Sequence, residues 1–293
     1  MIEKINSYDR IFLHHADLRD SLSIDKTIKD IKPDYVFHLA AQSFPKVSFD
    51  APIETYDTNI TGTERLLSSL KNHKRDAIIH VCASSEVFGC VPKDKLPIDE
   101  ECQFDPASPY AISKIGTDLI GRHYAKAYDM TIMTTRMFTH TGPRRGDIFA
   151  ESTFAKQIAM IEHELIEPVV KVGNLDSMRT FADVRDAVKA YFMLLESNKI
   201  PPGETFNIGG NFSCKVGDML DFLIKSSSSN KKIVIQKDPK RIRPIDADLQ
   251  VPDLKKFREN INWEPEYSFE ETMTDLLNYW RDRISKNGTF LER

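Results

Sequence analysis

Hydrophobic and polar positions along this chain follow two alternating patterns. "DYVFHLAA" (34–41) is a nearly continuous apolar run, as in a strand of a parallel sheet covered on both faces. "DAIIHVCAS" (76–84) and "MTIMTTRMF" (130–138) read as further strands, and "DRIFLHHA" (9–16) as a short one ahead of them. Between these runs the period lengthens. Ser21 to Lys32 places Ile24, Ile28 and Ile31 on one helical face. Pro52 stands near the start of a long helix over "IETYDTNITGTERLLSSLKNH", and another helix is expected to begin after Pro106 and run to about Asp129. Strands alternating with helices predict βαβ units and a doubly wound parallel sheet, an α/β fold.

After Gly142 the texture loosens. "FAKQIAMIEHE" is helical, "PVVKVG" a short strand, "DVRDAVKAYFMLLES" an amphipathic helix and "ETFNIGG" another strand. A helix ending in "SSSSN", the run "KIVIQKDP" and a final helix "SFEETMTDLLNYWRDRI" follow. No internal repeat is present.

Composition narrows the function classes. A net charge of −4 gives no basic excess for nucleic acid. The one basic cluster, Lys237 to Pro244, holds two prolines and reads as a solvated loop. Cys82, Cys90, Cys102 and Cys214 lack disulfide or zinc-ligand spacing, so neither disulfides nor a structural metal is expected. With no secretory signal and no apolar run near 18 residues, a cytoplasmic protein with no membrane span is expected. No glycine occurs before Gly62, so the opening of the chain lacks a Gly-rich turn.

In open α/β sheets ligands bind beyond the carboxyl ends of the strands, and the polar motifs lie there. "SSEVFG" (84–89) follows the third strand: Ser84 or Ser85 can hydrogen-bond a reacting oxygen, and Glu86 can move a proton. A Ser-Ser-Glu is more often a turn or helix cap. "SPYAISK" places Tyr110 and Lys114 at i and i+4, on one helix face. An ammonium near a phenol favours the phenolate and lowers its pKa from about 10 toward neutrality. A bare Tyr-x3-Lys is usually ordinary helix surface, so the pair gains meaning only from its surroundings. A Ser-His-Asp hydrolase is excluded, because there is no G-x-S-x-G and no histidine is tied to a serine by any motif.

Taken in order, "DLRD", "HLAAQ", "DTNITGTERLL", "SSEVFG", "SPYAISK" and "RMFTHTGPRRG" resemble the extended short-chain dehydrogenase/reductases that modify nucleotide sugars. "AQSFPKVSF", "GPRRG", "VGNLDSMRTFADVRDAV" and "RPIDADLQVPD" look most like the GDP-mannose 4,6-dehydratases and their relatives, the GDP-4-keto-6-deoxy-D-mannose reductases. The resemblance implies a Rossmann-like sheet in a dinucleotide-binding domain over 1–142. It implies a smaller C-terminal α/β domain for the nucleotide sugar over 143–293, with some chain returning to the first sheet. Tyr110 would be the general acid/base, Lys114 would tune it and hold the nicotinamide ribose, Ser84 would bind the 4-oxygen, and Glu86 would take the C5 proton. Asp17 and Leu18 would line the adenine end of NADP or NAD, Ala40 and Ala41 its backbone, and Arg179, Arg243 and Asp246 the diphosphate and ribose of a GDP-sugar. The family also implies a homodimer or homotetramer.

The chain departs from the pattern in places. The family's first strand and its G-x-x-G-x-x-G turn are not in this sequence, which by resemblance starts after that βαβ unit, as a fragment or as a degenerate paralogue. Thr139 stands where an asparagine is usual, Arg179-Thr180 where Arg-Asp is usual, and Phe88 where a tyrosine is common. Three readings follow: the dehydratase, the reductase, and a non-catalytic nucleotide-sugar-binding remnant. Smaller expectations accompany them: His38 as a packed strand residue, Asn59 as a structural or cofactor-side residue, Met130, Met133 and Met137 as core, and Arg144 and Arg145 facing either phosphate, a neighbouring subunit or solvent.

Overall fold

The computed structural model describes residues 10–287. α1 (Ser21–Ile31) leads into β1 (Tyr35–His38). α2 (Pro45–Asp50), α3 (Pro52–Tyr56) and α4 (Gly62–His73) then lead to β2 (Ile78–Cys82), and α5 (Pro109–Tyr128) leads to β3 (Ile132–Met137). The predicted long helix after Pro52 forms without a break in helical backbone, α3 passing into α4 through a π-helical turn at Asp57–Thr61. α5 starts later than Pro106 because Ser108 is its cap, its hydroxyl accepting the Ala111 N–H at 3.1 Å, with Pro109 in the first turn.

The remaining elements are β4 (His140–Thr141), α6 (Ala150–Glu162), β5 (Val169–Val172), β6 (Met178–Asp183), α7 (Val184–Glu196), β7 (Thr205–Ile208), β8 (Phe212–Lys215), α8 (Val216–Lys225), β9 (Val234–Lys237), β10 (Leu249–Gln250), α9 (Lys255–Ile261) and α10 (Phe269–Asn287). The first sheet runs β1-β2-β3-β7 and is parallel throughout, with Val36 opposite Ile79, Ile79 opposite Ile132, and Met137 opposite Ile208.

Period-two alternation explains why helices cover both faces of this sheet. Ile79, Val81 and Ile132 point to one side and pack with Ile24 and Ile28 of α1, Leu67 and Leu70 of α4 and Tyr124 of α5. Met133, Met137, Phe206 and Ile208 point to the other and pack with Ala187, Ala190, Tyr191 and Leu194 of α7 and with Phe257 and Trp263. Fully burying one such side chain contributes about 1.5–3 kcal/mol. Met130, Met133 and Met137 are core residues, as expected. His38 is packed within β1, its Nε2 2.9 Å from the Thr63 hydroxyl.

The strand expected over 9–16 is not formed in its described part, residues 10–16; Asp9 lies outside the described residues. A strand needs a ladder partner, and 11–16 has none among the described residues, leaving Phe12 83% and Leu13 59% exposed.

A second sheet runs β10-β6-β4, with β8 antiparallel to β6, and β5 pairs with β9 in a two-stranded parallel ribbon. Their core joins α6, α8 and α10 through Phe154, Ile158, Leu220, Met273, Leu277 and Trp280. Between β9 and β10 the chain runs as a strap, residues 238–248, back toward the carboxyl end of β2.

Candidate active site

β2 ends at Cys82, and the chain turns at once into the Ser84–Gly89 segment. Ser84 is extended and caps a 3-10 turn, its hydroxyl accepting the Glu86 N–H at 3.3 Å. Gly89 closes the turn at φ +56°, and a Cβ there would stand 1.5 Å from the Asp105 carbonyl oxygen, so only glycine fits. Val87 and Phe88 are buried below, which leaves Ser84 and Glu86 at the top.

α5 brings its first two turns against this segment. Tyr110, Ser113, Lys114 and Thr117 form its buried stripe. Lys114 is 5% exposed and donates to the Cys82 carbonyl at 2.7 Å, with its ammonium 6.0 Å from the Tyr110 ring centroid. Tyr110 is 8% exposed, and its phenol lies near enough to the Ser84 hydroxyl to feel it. The expected lowering of the phenol by Lys114 is not found. Burial raises Tyr110 above its ordinary value, and the Ser84 hydroxyl and the charge of Arg145 pull it back only in part. Burial also lowers Lys114, whose ammonium is turned to the Cys82 carbonyl.

Arg179 lies on β6 beside β10, and Arg243 and Asp246 lie on the strap. The Asp246 carboxylate Oδ1 takes Arg179 at 3.2 Å and Arg243 at 3.3 Å. Arg243 also stands 3.8 Å from the Glu86 carboxylate, which ties this cluster to the Ser84–Tyr110 site. Of the basic cluster read as a solvated loop, Arg243 thus turns to this group, while Lys237, Lys240 and Arg241 are exposed as expected. Lys46 of α2 donates to the Lys240 carbonyl, and the Cys90 thiol to the Asp246 carbonyl at 3.6 Å.

Asp17 and Leu18 are placed elsewhere, beside the first turn of α4. Arg65 donates to the Leu18 carbonyl at 3.1 Å, and Leu18 packs on Gly62. The Asp17 carboxylate is held by Arg19 at 2.7 Å, whose hydrogen bonds lower its pKa to about 2. Ala40 is exposed and Ala41 half-buried, immediately after β1. Asn59 is a brace: its amide bonds Gln42 and Ser113, locking the post-β1 loop onto α5.

Sequence reasoning missed several supporting groups. Ser48 of α2, fully buried, accepts the Tyr110 N–H at 3.0 Å. Arg145 stacks at 3.4 Å over Phe149, with its charge felt at both Tyr110 and His140, and Arg144 is exposed. Ser177 and Asn174 seat the second oxygen of Asp246. Ser48, Arg145, Asn174 and Ser177 all lie within the motifs of the resemblance, but their partners are not readable there, because the contacts form only in the folded chain. Among the described residues, no three His, Cys, Asp or Glu converge as a metal site requires, and no helix is long and apolar enough to cross a membrane.

Comparison with known proteins bears on this arrangement. The family model for GDP-mannose 4,6 dehydratase matches residues 2–276. The GDP-mannose 4,6 dehydratase of Drosophila melanogaster is 30% identical, over 97% of this chain and 75% of its own length. The GDP-6-deoxy-D-mannose reductase of Pseudomonas aeruginosa is 28% identical, over 92% and 88%. The solved structure of RMD from Pseudomonas aeruginosa complexed with NADPH has a TM-score of 0.84 and 27% identity, covering 92% of this chain and 88% of that one. With the family model spanning nearly the whole sequence and a relative 30% identical over almost all of it, the chain belongs to the GDP-mannose 4,6 dehydratase family.

Proposed function

We propose that this chain is a GDP-mannose 4,6-dehydratase, with NADP or NAD as its resident cofactor. The observation that carries this reading is Glu86: a carboxylate at the top of the Ser84 turn, in the same site as Tyr110 and Lys114. A 4-ketoreductase leaves the C5 proton in place and needs no base for it.

The residues present fit the nicotinamide end of a dinucleotide. Among the described residues Lys114 has one acceptor, the Cys82 carbonyl, which leaves two of its three N–H groups for a ribose. Ala40 and Ala41 bring backbone with little side-chain bulk to the end of β1. Asp17, held by Arg19, and Leu18 would serve the adenine end. When bound, the nicotinamide supplies the hydride exchange at C4 and C6 of the sugar.

The chain's own groups handle protons and position. Ser84 holds the sugar 4-oxygen, and Tyr110 exchanges the proton on it. A ketone at C4 acidifies C5–H, and Glu86 removes that proton as water leaves C6. Arg179 and Arg243 hold the GDP diphosphate, a task suited to planar, permanently charged guanidinium groups. Asp246 is assigned to the ribose side. Residues up to 142 would bind the dinucleotide and those from 143 the nucleotide sugar, although β7 crosses back to the first sheet. We place the protein in the cytoplasm, on cysteines without disulfide spacing. We assign it a homodimer or homotetramer, on the exposed apolar residues Ile53, Ile112 and Leu119 of α3 and α5.

The test is to incubate the purified chain with GDP-mannose and NADP or NAD and follow the sugar by NMR. A dehydratase yields the 4-keto-6-deoxy sugar with no net change in reduced cofactor. Consumption of one NADPH or NADH per turnover on the 4-keto sugar, with none of the dehydration, would assign the reductase activity instead. GDP-mannose binding without either reaction would identify a non-catalytic nucleotide-sugar-binding protein.

A further inference from the structure

Both arginines assigned to the diphosphate are engaged by a carboxylate of the same chain. Arg179 and Arg243 converge on one oxygen of Asp246, at 3.2 and 3.3 Å. The other oxygen rests 3.2 Å from the buried Ser177 hydroxyl and 3.5 Å from the Asn174 amide, which also contact Asp248 at 2.9 and 3.2 Å. The same Arg243 nitrogen that meets Asp246 stands 3.8 Å from Glu86. All four charged side chains are 12–28% exposed, so their charges are only partly screened by water. Two guanidinium groups thus face two carboxylates, those of Asp246 and Glu86. A diphosphate entering with this arrangement intact would meet arginines whose charge is already balanced.

The strap is built to hold this state. The Cys90 thiol donates to the Asp246 carbonyl, which seats the strap against the loop that follows Glu86. Gly173 lets the Arg241 carbonyl approach so closely that a Cβ would stand 2.6 Å from it. Lys46 donates to the Lys240 carbonyl from α2.

We propose that Asp246 is an internal competitor for the diphosphate. Its carboxylate occupies Arg179 and Arg243 until the substrate displaces it, and the withdrawal of Arg243 toward the diphosphate frees Glu86. Occupancy of the nucleotide end would then be coupled to release of the base, so Glu86 is unshielded only when a sugar nucleotide is bound. This rests on the reading of Arg179 and Arg243 as diphosphate ligands.

The probe is inorganic pyrophosphate, which lacks the ribose that Asp246 would otherwise contact. Its affinity for the whole chain is measured by isothermal titration calorimetry, with no cofactor and no turnover. Asp246→Asn should bind pyrophosphate about three- to fivefold tighter than the parent chain, as expected on removing one modest ionic competitor. Glu86→Gln should also tighten binding, by a smaller factor, because its carboxylate lies farther from Arg243. The double variant should gain less than the product of the two, since both carboxylates share one Arg243 nitrogen. Unchanged or weaker binding in Asp246→Asn, with Arg179→Met still losing affinity, overturns the competition while leaving the diphosphate reading intact. Unchanged binding in both Arg179→Met and Arg243→Met overturns the diphosphate reading and the proposal with it. If Asp246→Asn does not fold, Glu86→Gln decides: equal or weaker pyrophosphate binding overturns the proposal.

Discussion

The ion pair under the Glu86 turn gives a quantitative test of how that turn is supported. Arg136 of β3 and Asp118 of α5 are 3% and 0% exposed and meet at 2.7 Å. Arg136 also donates to the Glu100 carbonyl at 2.7 Å, and its guanidinium lies against the rings of Phe88 and Phe104, 5.3 and 4.8 Å from their centroids. Phe88 belongs to the turn that carries Glu86, so the pair holds the floor of the site. Asp118→Asn keeps the shape and removes the charge, leaving a buried guanidinium with one carbonyl and two aromatic faces. Breaking a buried pair from one side costs about 3–5 kcal/mol, because the remaining charge is uncompensated. For a chain of this length that corresponds to a melting temperature lower by about 5–8 °C. Calorimetric melting and urea unfolding of the variant measure it. Replacing both partners, as Asp118→Leu with Arg136→Met, should recover most of the loss, because no charge then remains buried. A single variant within about 1 kcal/mol of the parent, or a double variant worse than the single, would refute the reasoning.

Glu86→Gln should lower dehydration by about 10²- to 10⁴-fold while leaving the melting temperature nearly unchanged, since the backbone cap to Ser84 remains. Proton exchange at C5 in heavy water, followed by NMR, should fall in parallel, and undiminished exchange would remove Glu86 from the role of base. Ser48→Ala should cost about 1–3 kcal/mol, because the buried Tyr110 N–H loses its acceptor, and urea unfolding measures it. Burial lowers His38 to about 4 and His80 to about 3, whereas an unfolded imidazole titrates near 6.5. The unfolded chain therefore binds more protons below pH 6.5, and stability present above that pH is lost as pH falls toward 4. Each histidine should account for about 2 kcal/mol between pH 7.5 and 5.0, and Gln at either position should flatten the urea-unfolding profile by that amount.

Much of the frame was readable because it depends on local pattern. β1, β2 and β3 fall within the three apolar runs, and the i, i+4 spacing of Tyr110 and Lys114 does put both on the buried stripe of α5. What failed depends on distant partners. The run 11–16 has strand composition but no ladder to join among the described residues. The 237–244 cluster has loop composition, yet Arg243 is drawn to the site by Asp246 and Glu86. The Tyr110–Lys114 spacing was right and its electrostatics were not, because desolvation depends on what the rest of the fold places over the phenol.

The pairing of β7 with β3 has a consequence for synthesis. Met137 sits opposite Ile208, so β3 emerges from the ribosome about 70 residues before the strand that closes its edge. At roughly 5–20 residues per second, that edge waits about 4–14 s for its neighbour. Through that interval the nascent sheet offers the open edge of β3, Ile132–Met137, to any other chain within reach. Slowing translation between these two points would lengthen the exposure, and a chaperone that engages nascent chains would find a window there.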